Sequence, residues 1–162
     1  MSIAARLKSF LDQNNVRYTL MTHSPAYTAQ AAAATLHVPG RELAKTVVVR
    51  SGEQTVLAVL PASGHVNWKK LAAVVGRDVR LATEQEFINL FADCELGAMP
   101  PLGGLYGMPV FVDQALASDE EIVFNAGTHR DAIRMRYADF VALEKPRVAP
   151  FADLAGVARA AG

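Results

Sequence analysis

A single cysteine, Cys94, excludes an internal disulfide and a thiolate metal cluster. The four histidines (His23, His37, His65 and His129) stand far apart without HExxH-type spacing, so metal chemistry has no support. Long hydrophobic runs are missing too. Stretches such as Thr55 to Ala62 fall well short of the ~20 residues that cross a bilayer. The opening residues, Met1 to Lys8, lack the apolar core of a signal peptide. These absences point to a cytoplasmic protein with no cofactor, no metal and no membrane contact.

Positive charge is absent from one long stretch. Between Leu81 and Thr128 there is no Lys or Arg, whereas Glu84, Glu86, Asp93, Glu95, Asp113, Asp119, Glu120 and Glu121 are acidic. Net charge is zero over 16 basic and 16 acidic residues, so the rest of the chain carries a basic surplus of eight. Zero net charge argues against strong non-specific nucleic-acid binding. The polarity leaves two readings open, a basic face for a phosphate backbone or charges that intermix on folding.

A hydrophobic content of 51% and a length of 162 residues suit one domain with a sizeable core. Apolar residues at Ile3, Leu7, Phe10 and Leu11 predict a helix from Ile3 to Gln13, ending at Asn14-Asn15. Val16 to Leu20 alternates as a strand, and Thr28 to Leu36 is an Ala-rich helix. Lys45 to Arg50 and Gln54 to Leu60 are strong strands joined at Ser51-Gly52-Glu53, with Pro61 closing the second. Asn67 caps a helix to Val75 that ends at Gly76. Val79 to Ala82 is a short strand, and Thr83 to Glu86 has a capping-box pattern. Phe91 to Gly107 is too rich in Gly and Pro for a regular element. Pro109 to Val112 and Glu121 to Asn125 are strands separated by an acidic loop, Ala132 to Arg136 is the last strand, and Tyr137 to Leu143 is a short helix. From Lys145 the chain reads as a loose end, giving a domain over 1–148 and a tail over 149–162. The sum is an α+β fold, a mixed sheet with helices packed around it.

Three places could carry chemistry. Lys45, at the head of a buried strand, is either a snorkelling edge residue or a cation that meets a phosphate or a developing oxyanion. Gly97-Ala98-Met99-Pro100-Pro101 is either a tight connection or a stiff loop turning backbone N–H groups inward, which ester hydrolysis requires. In Phe124-Asn125-Ala126-Gly127-Thr128-His129, small residues after a strand let a ligand approach the backbone. His129 there is either structural or a proton carrier. Cys94 sits among acids that suppress its thiolate and is read as non-catalytic.

In this order, these segments resemble the YbaK/prolyl-tRNA synthetase-associated editing domains. The resemblance spans about Ala4 to Val148 and rests on four motifs. They are His23 to Thr28, Glu42 to Val49, the G-x-x-x-P loop of Gly97 to Pro101, and Phe124 to His129. It implies a mixed sheet curved around a pocket, and trans-editing hydrolysis of mischarged tRNA, above all tRNA(Pro) carrying Ala, Cys, Ser or 2-aminobutyrate. It also implies no metal and no covalent nucleophile. Lys45 matches the family's functional lysine, expected to meet the terminal adenosine or its phosphate. Gly97, Ala98, Met99, Pro100 and Pro101 are expected to hold the aminoacyl ester. Tyr27, Asn125, Ala126, Gly127 and His129 are expected around the aminoacyl group, with Met99 and Ala44 tuning pocket size. Partners would be the acceptor end of mischarged tRNA and, transiently, a prolyl-tRNA synthetase, with the protein a monomer or weak dimer. A catalytically inactive tRNA-, nucleotide- or synthetase-binding module and a small-ester hydrolase are the alternatives.

Overall fold

The computed structural model describes residues 5–22, 24, 31, 34, 36, 39 and 42–154. The first helix, α1 (Ala5–Gln13), turns Leu7 and Leu11 into the core, one helical turn apart. Asn15, at φ 56°, ends it in the left-handed region, and the Val16 N–H closes onto Leu11 O. That closure delays β1 to Tyr18–Thr22, two residues later than the alternation of Val16 to Leu20 suggests. The predicted Ala-rich helix falls mostly outside the described residues; Ala31, Ala34 and Leu36 are helical.

Strands β2 (Leu43–Ser51) and β3 (Gln54–Pro61) form the predicted hairpin, with Gly52 at φ 62° in its turn. Short β4 (Gly64–Val66) follows. In α2 (Trp68–Val75) the Asn67 side chain accepts from Lys70 N, and Gly76 at φ 91° forms the C-terminal stop. β5 (Arg80–Leu81) leads to α3 (Glu84–Phe87), whose Thr83–Glu86 capping box is complete. The stretch read as irregular holds one short helix, α4 (Gly103–Tyr106), closed by Gly107 at φ 74°. Then come β6 (Val110–Asp113), α5 (Gln114–Ala117) in the expected acidic loop, β7 (Glu121–Asn125), β8 (Asp131–Arg136) and α6 (Tyr137–Glu144).

With β9 (Arg147–Ala149), these strands build an eight-stranded sheet in the order β1-β8-β7-β2-β3-β6-β9, with β5 also on β2. β2 pairs with β7 in parallel and with β3 and β5 antiparallel. On one face Ala44, Val48, Leu57 and Val59 join Leu7 and Leu11 of α1 and Phe140 of α6 in the main core. On the other face Val49, Val56, Ala58 and Leu60 pack under Leu71 of α2, while Leu43, Val123 and Ala132 lie under Leu36. Helices therefore cover both sides, as expected of a mixed α+β domain.

The expected loose end is part of the fold through Leu154. β9 (Arg147–Ala149) extends the sheet beyond β6, and β10 (Ala152–Leu154) pairs with β4. Phe151 between them is fully buried beneath α2. The buried Asp113 carboxylate holds this segment, accepting from the N–H groups of Phe151 and Ala152 at 2.9 Å while it caps α5 through Ala115 N. A buried acid is tolerated here because its oxygens have donors. Three-residue strands around Pro150 carry too little periodicity to be read from sequence. Phe151→Ala should cost about 3–5 kcal/mol by leaving a cavity. A urea unfolding curve displaced by less than about 1 kcal/mol would mean that residues 147–154 are not part of the cooperative unit.

Candidate active site

Register places a row of side chains across the sheet. Met21 of β1 pairs with Ala132 of β8, Ala132 with Asn125 of β7, and Lys45 of β2 with Leu60 of β3. The parallel pairing Ala44–Phe124 sets Lys45 beside Asn125 one step further along. Alternation turns both toward the face of Leu43, Val123 and Leu60. Lys45 and Asn125 are thus neighbours on the side that Leu36 and α2 cover from either flank.

The sheet opens at this point. Along the same edge of β2, pairing with β7 ends at Ala44 and pairing with β5 begins at Val49. The carbonyls of Glu42 and Val48 point to this edge, accepting from Val123 N and Ala82 N. Strand alternation therefore directs the backbone groups of Thr46 into the gap. Lys45 is half-buried, and desolvation holds its ammonium pKa below the usual lysine range. Among the described residues Lys45 has no carboxylate partner. The Asn125 Oδ1 atom, on the Lys45 face, is buried without a partner there, and so is Thr46 Oγ1 on the opposite face. Unpaired polar atoms at a break in a sheet are suited to receive the polar groups of a ligand.

Two loops lock together at the end of β7. Glu95 N donates to Gly127 O at 2.7 Å, and Gly127 N donates to Ala98 O at 3.0 Å. The Glu95 carboxylate accepts from His129 N at 2.7 Å. His129 Nε2 lies 2.7 Å from Leu96 O, and since a carbonyl only accepts, this ring nitrogen carries the proton. His129 thereby straps the 95–97 segment. Asp131, fully buried, accepts from Thr128 Oγ1 and from Thr22 Oγ1. Thr128 Oγ1 in turn accepts from the N–H groups of Arg130 and Asp131. Glu95 and Asp131 were not singled out from sequence, because isolated acids give no local signal of a distant loop partner.

Within Gly97–Pro101 the two prolines have no N–H, and Ala98 donates its own to Glu95 O at 3.0 Å. Gly97 and Met99 are left as the donors that could meet an incoming oxygen. Gly97 is exposed at the rim with φ 86°, and a Cβ there would lie 3.4 Å from His129 Cε1. The other four residues of the loop are buried. The Met99 side chain, like Ala44, belongs to the main core on the face opposite Lys45, so neither side chain borders Lys45. Asn125 is partly buried, and Ala126 and Gly127 are buried at the turn out of β7. Tyr27 lies outside the described residues, as does the His23 to Thr28 motif apart from Ser24.

Cys94 stands apart, with Sγ 3.3 Å from the Tyr106 hydroxyl and 3.6 Å from Asp93 Oδ1. Burial, with Asp93 adding to it, pushes its thiol pKa up to about 11. Among the described residues no three His, Cys, Asp or Glu side chains cluster to hold a metal, and no helix is long and apolar enough to cross a membrane.

The model of the aminoacyl-tRNA editing domain matches residues 23–143, most of the chain. The chain belongs to the aminoacyl-tRNA editing domain family. As an editing domain it is an aminoacyl-tRNA deacylase, a hydrolase of the ester that joins amino acid to tRNA. Among curated proteins this editing domain is similar to the multifunctional Ser/Thr-tRNA deacylase ProXp-y of Escherichia coli, with 26% identity over 152 residues and 90% of each chain covered. Its fold is that of the hypothetical protein APE2540, with a TM-score of 0.82, 22% identity, and coverage of 91% of this chain and 99% of the other. A structure provisionally described as a trans-editing enzyme for prolyl tRNA synthetase gives a TM-score of 0.80 at 23% identity, covering 93% and 96%. The match begins at His23 and ends within α6, so β9 and β10 lie beyond the matched part of this editing domain.

Two outcomes follow for the editing domain's loops. Gly97→Ala should cost about 1–2 kcal/mol for an L-residue at positive φ and lower kcat/KM at least tenfold; undiminished deacylation would show that the loop's backbone is not engaged. At pH 8 the folded protein should react with iodoacetamide at least about tenfold slower than the urea-unfolded chain, because only the thiolate attacks. Equal rates would mean that Cys94 is not held in its buried setting.

Proposed function

We propose that this deacylase acts free-standing, in trans, and removes a small non-cognate amino acid from tRNA. The candidates are Ala, Cys, Ser and 2-aminobutyrate, with tRNA(Pro) the leading carrier. The observation that carries the reading is the end of β2–β7 pairing at Ala44–Phe124, just before a half-buried cation, Lys45, and an unpartnered amide oxygen, that of Asn125, on the same face. A cation so desolvated attracts an anion strongly, and the phosphate of the terminal adenosine supplies one. The amide oxygen can accept from the substrate's ammonium or side-chain hydroxyl, which favours serine over alanine. The similarity to the Escherichia coli Ser/Thr-tRNA deacylase supports that preference, and the family resemblance supports tRNA(Pro).

An aminoacyl ester needs little activation. Water attacks the carbonyl carbon, the ester C–O bond breaks, and the ribose oxygen leaves with a proton, releasing free amino acid and tRNA. The substrate's neighbouring ribose hydroxyl can orient the water. The N–H groups of Gly97 and Met99 receive the negative charge that builds on the carbonyl oxygen. His129 acts as a positioning residue through the loop, since its Nε2–H is engaged by Leu96 O. Small residues at Gly127 and Ala132 leave room for a short side chain, and Tyr27 is assigned to the same pocket from the motif, whereas the Ala126 side chain belongs to the main core on the other face. Steric selection of this kind separates neighbours by roughly 10–200-fold.

Deacylation of tRNA(Pro) charged with Ala, Cys, Ser, 2-aminobutyrate or Pro tests the reading. Ser should be released fastest and Pro spared, with Lys45→Ala reducing kcat/KM by at least about a hundredfold. Asn125→Ala should lower the rate on Ser more than on Ala. Release of no small residue from tRNA(Pro) would overturn the choice of carrier, and equal losses on Ser and Ala would remove the role given to Asn125.

A further inference from the structure

The cations on this molecule are not equivalent. Arg6 pairs with Asp93, Lys8 with Asp12, Arg50 and Arg80 with Glu86, and Arg134 with Glu121. Three of these four acids, Asp93, Glu86 and Glu121, come from the stretch that lacks Lys and Arg, so arginines from outside it meet part of its negative charge. Lys69 and Lys70 are different. They are exposed and share α2 with no acidic residue, and like Arg17, Arg77, Arg130, Arg136, Lys145 and Arg147 they enter no ion pair among the described residues. Asp153 of β10 is held by the Asn67 amide, just before α2, at 3.2 Å. Beside them stands Trp68, the one tryptophan of the sequence, with 37% of its surface exposed.

Position gives this group its meaning. Leu71 anchors α2 over Leu60, Ala58, Val56 and Val49, and Leu60 is the cross-strand partner of Lys45. The start of α2 therefore lies on the same side of the sheet as Lys45, flanking the opening opposite Leu36. We propose that Trp68, Lys69 and Lys70 form a platform for the single-stranded 3′ end of the substrate tRNA. The indole stacks on an unpaired base and the two ammonium groups meet successive phosphates. Stacking on an aromatic ring tolerates any base, and lysines neutralise backbone charge, so the pair suits a strand held by shape rather than by sequence. This inference rests on Lys45 meeting the terminal nucleotide. It adds where the strand lies before it reaches that group.

Since Trp68 is the sole indole, its emission reports occupancy directly. Titrating the full chain with uncharged tRNA should quench that emission to saturation. Lys69→Gln combined with Lys70→Gln should weaken binding about tenfold and reduce the slope of log Kd against log salt by about 1.4, or 0.7 per single-strand phosphate lost. The same variant should lose deacylation through KM, with its circular-dichroism melt unchanged. Trp68→Ala should also weaken binding, as read by filter retention of labelled tRNA. Binding without change in Trp68 emission, or an unaltered salt slope in the double variant, would overturn the platform. So would emission that responds to a synthetase but not to tRNA. Failure of the proposed function is separately visible: quenching by tRNA without release of any tested amino acid would remove the substrate reading and leave the platform standing.

Discussion

The division of one edge of β2 governs the rest of the molecule. Its other edge is paired with β3 from Ala44 to Ser51, a long antiparallel ladder that fixes the strand rigidly. On the divided edge, β7 and β5 each take one end and leave the middle to neither. A continuous partner there would have covered Lys45 and satisfied the backbone of Thr46. The break instead sets a desolvated cation and polar atoms without partners in the centre of a well-packed sheet, where burial strengthens any interaction with a ligand.

At the end of β7 two loops are held together chiefly by backbone hydrogen bonds. The 95–98 and 126–131 segments are joined by main-chain bonds in both directions, with the Glu95 carboxylate and the His129 ring completing the clasp. Such a clasp suits an ester substrate, which needs its carbonyl oxygen met in a fixed place and does not need a strong nucleophile. Cys94, the strongest nucleophile by type, is half-buried beside Tyr106 with its thiol pKa raised.

Local signals were readable where the physics is local. The caps at Asn67 and Thr83, the stop at Gly76 and the β2–β3 turn follow from residue types at fixed spacing. Lys45 and the Gly97–Pro101 loop could be singled out because order along the chain made four weak motifs specific. What sequence could not provide was lateral: that Asn125 stands next to Lys45 depends on parallel pairing between distant strands. The direction of Met99 into the main core, the strap from His129 to Leu96 and the burial of Asp131 depend on the same long-range closure. Trp68-Lys69-Lys70 is unremarkable as a string. Its place on the Lys45 side emerges only from the packing of Leu71.

The attachment of β9 and Phe151 bears on how the chain is made. During synthesis from the N-terminus, β6 is complete long before residues 147–151 leave the ribosome, and until then its outer edge has no partner. The slot beneath α2 that Phe151 fills is likewise empty in that interval. A nascent chain in this state presents Val110, Phe111 and Val112 as an open strand edge, the kind of surface that recruits other chains. β9 and β10 thus act as a seal that closes over β6 and the slot under α2 only after both have been made.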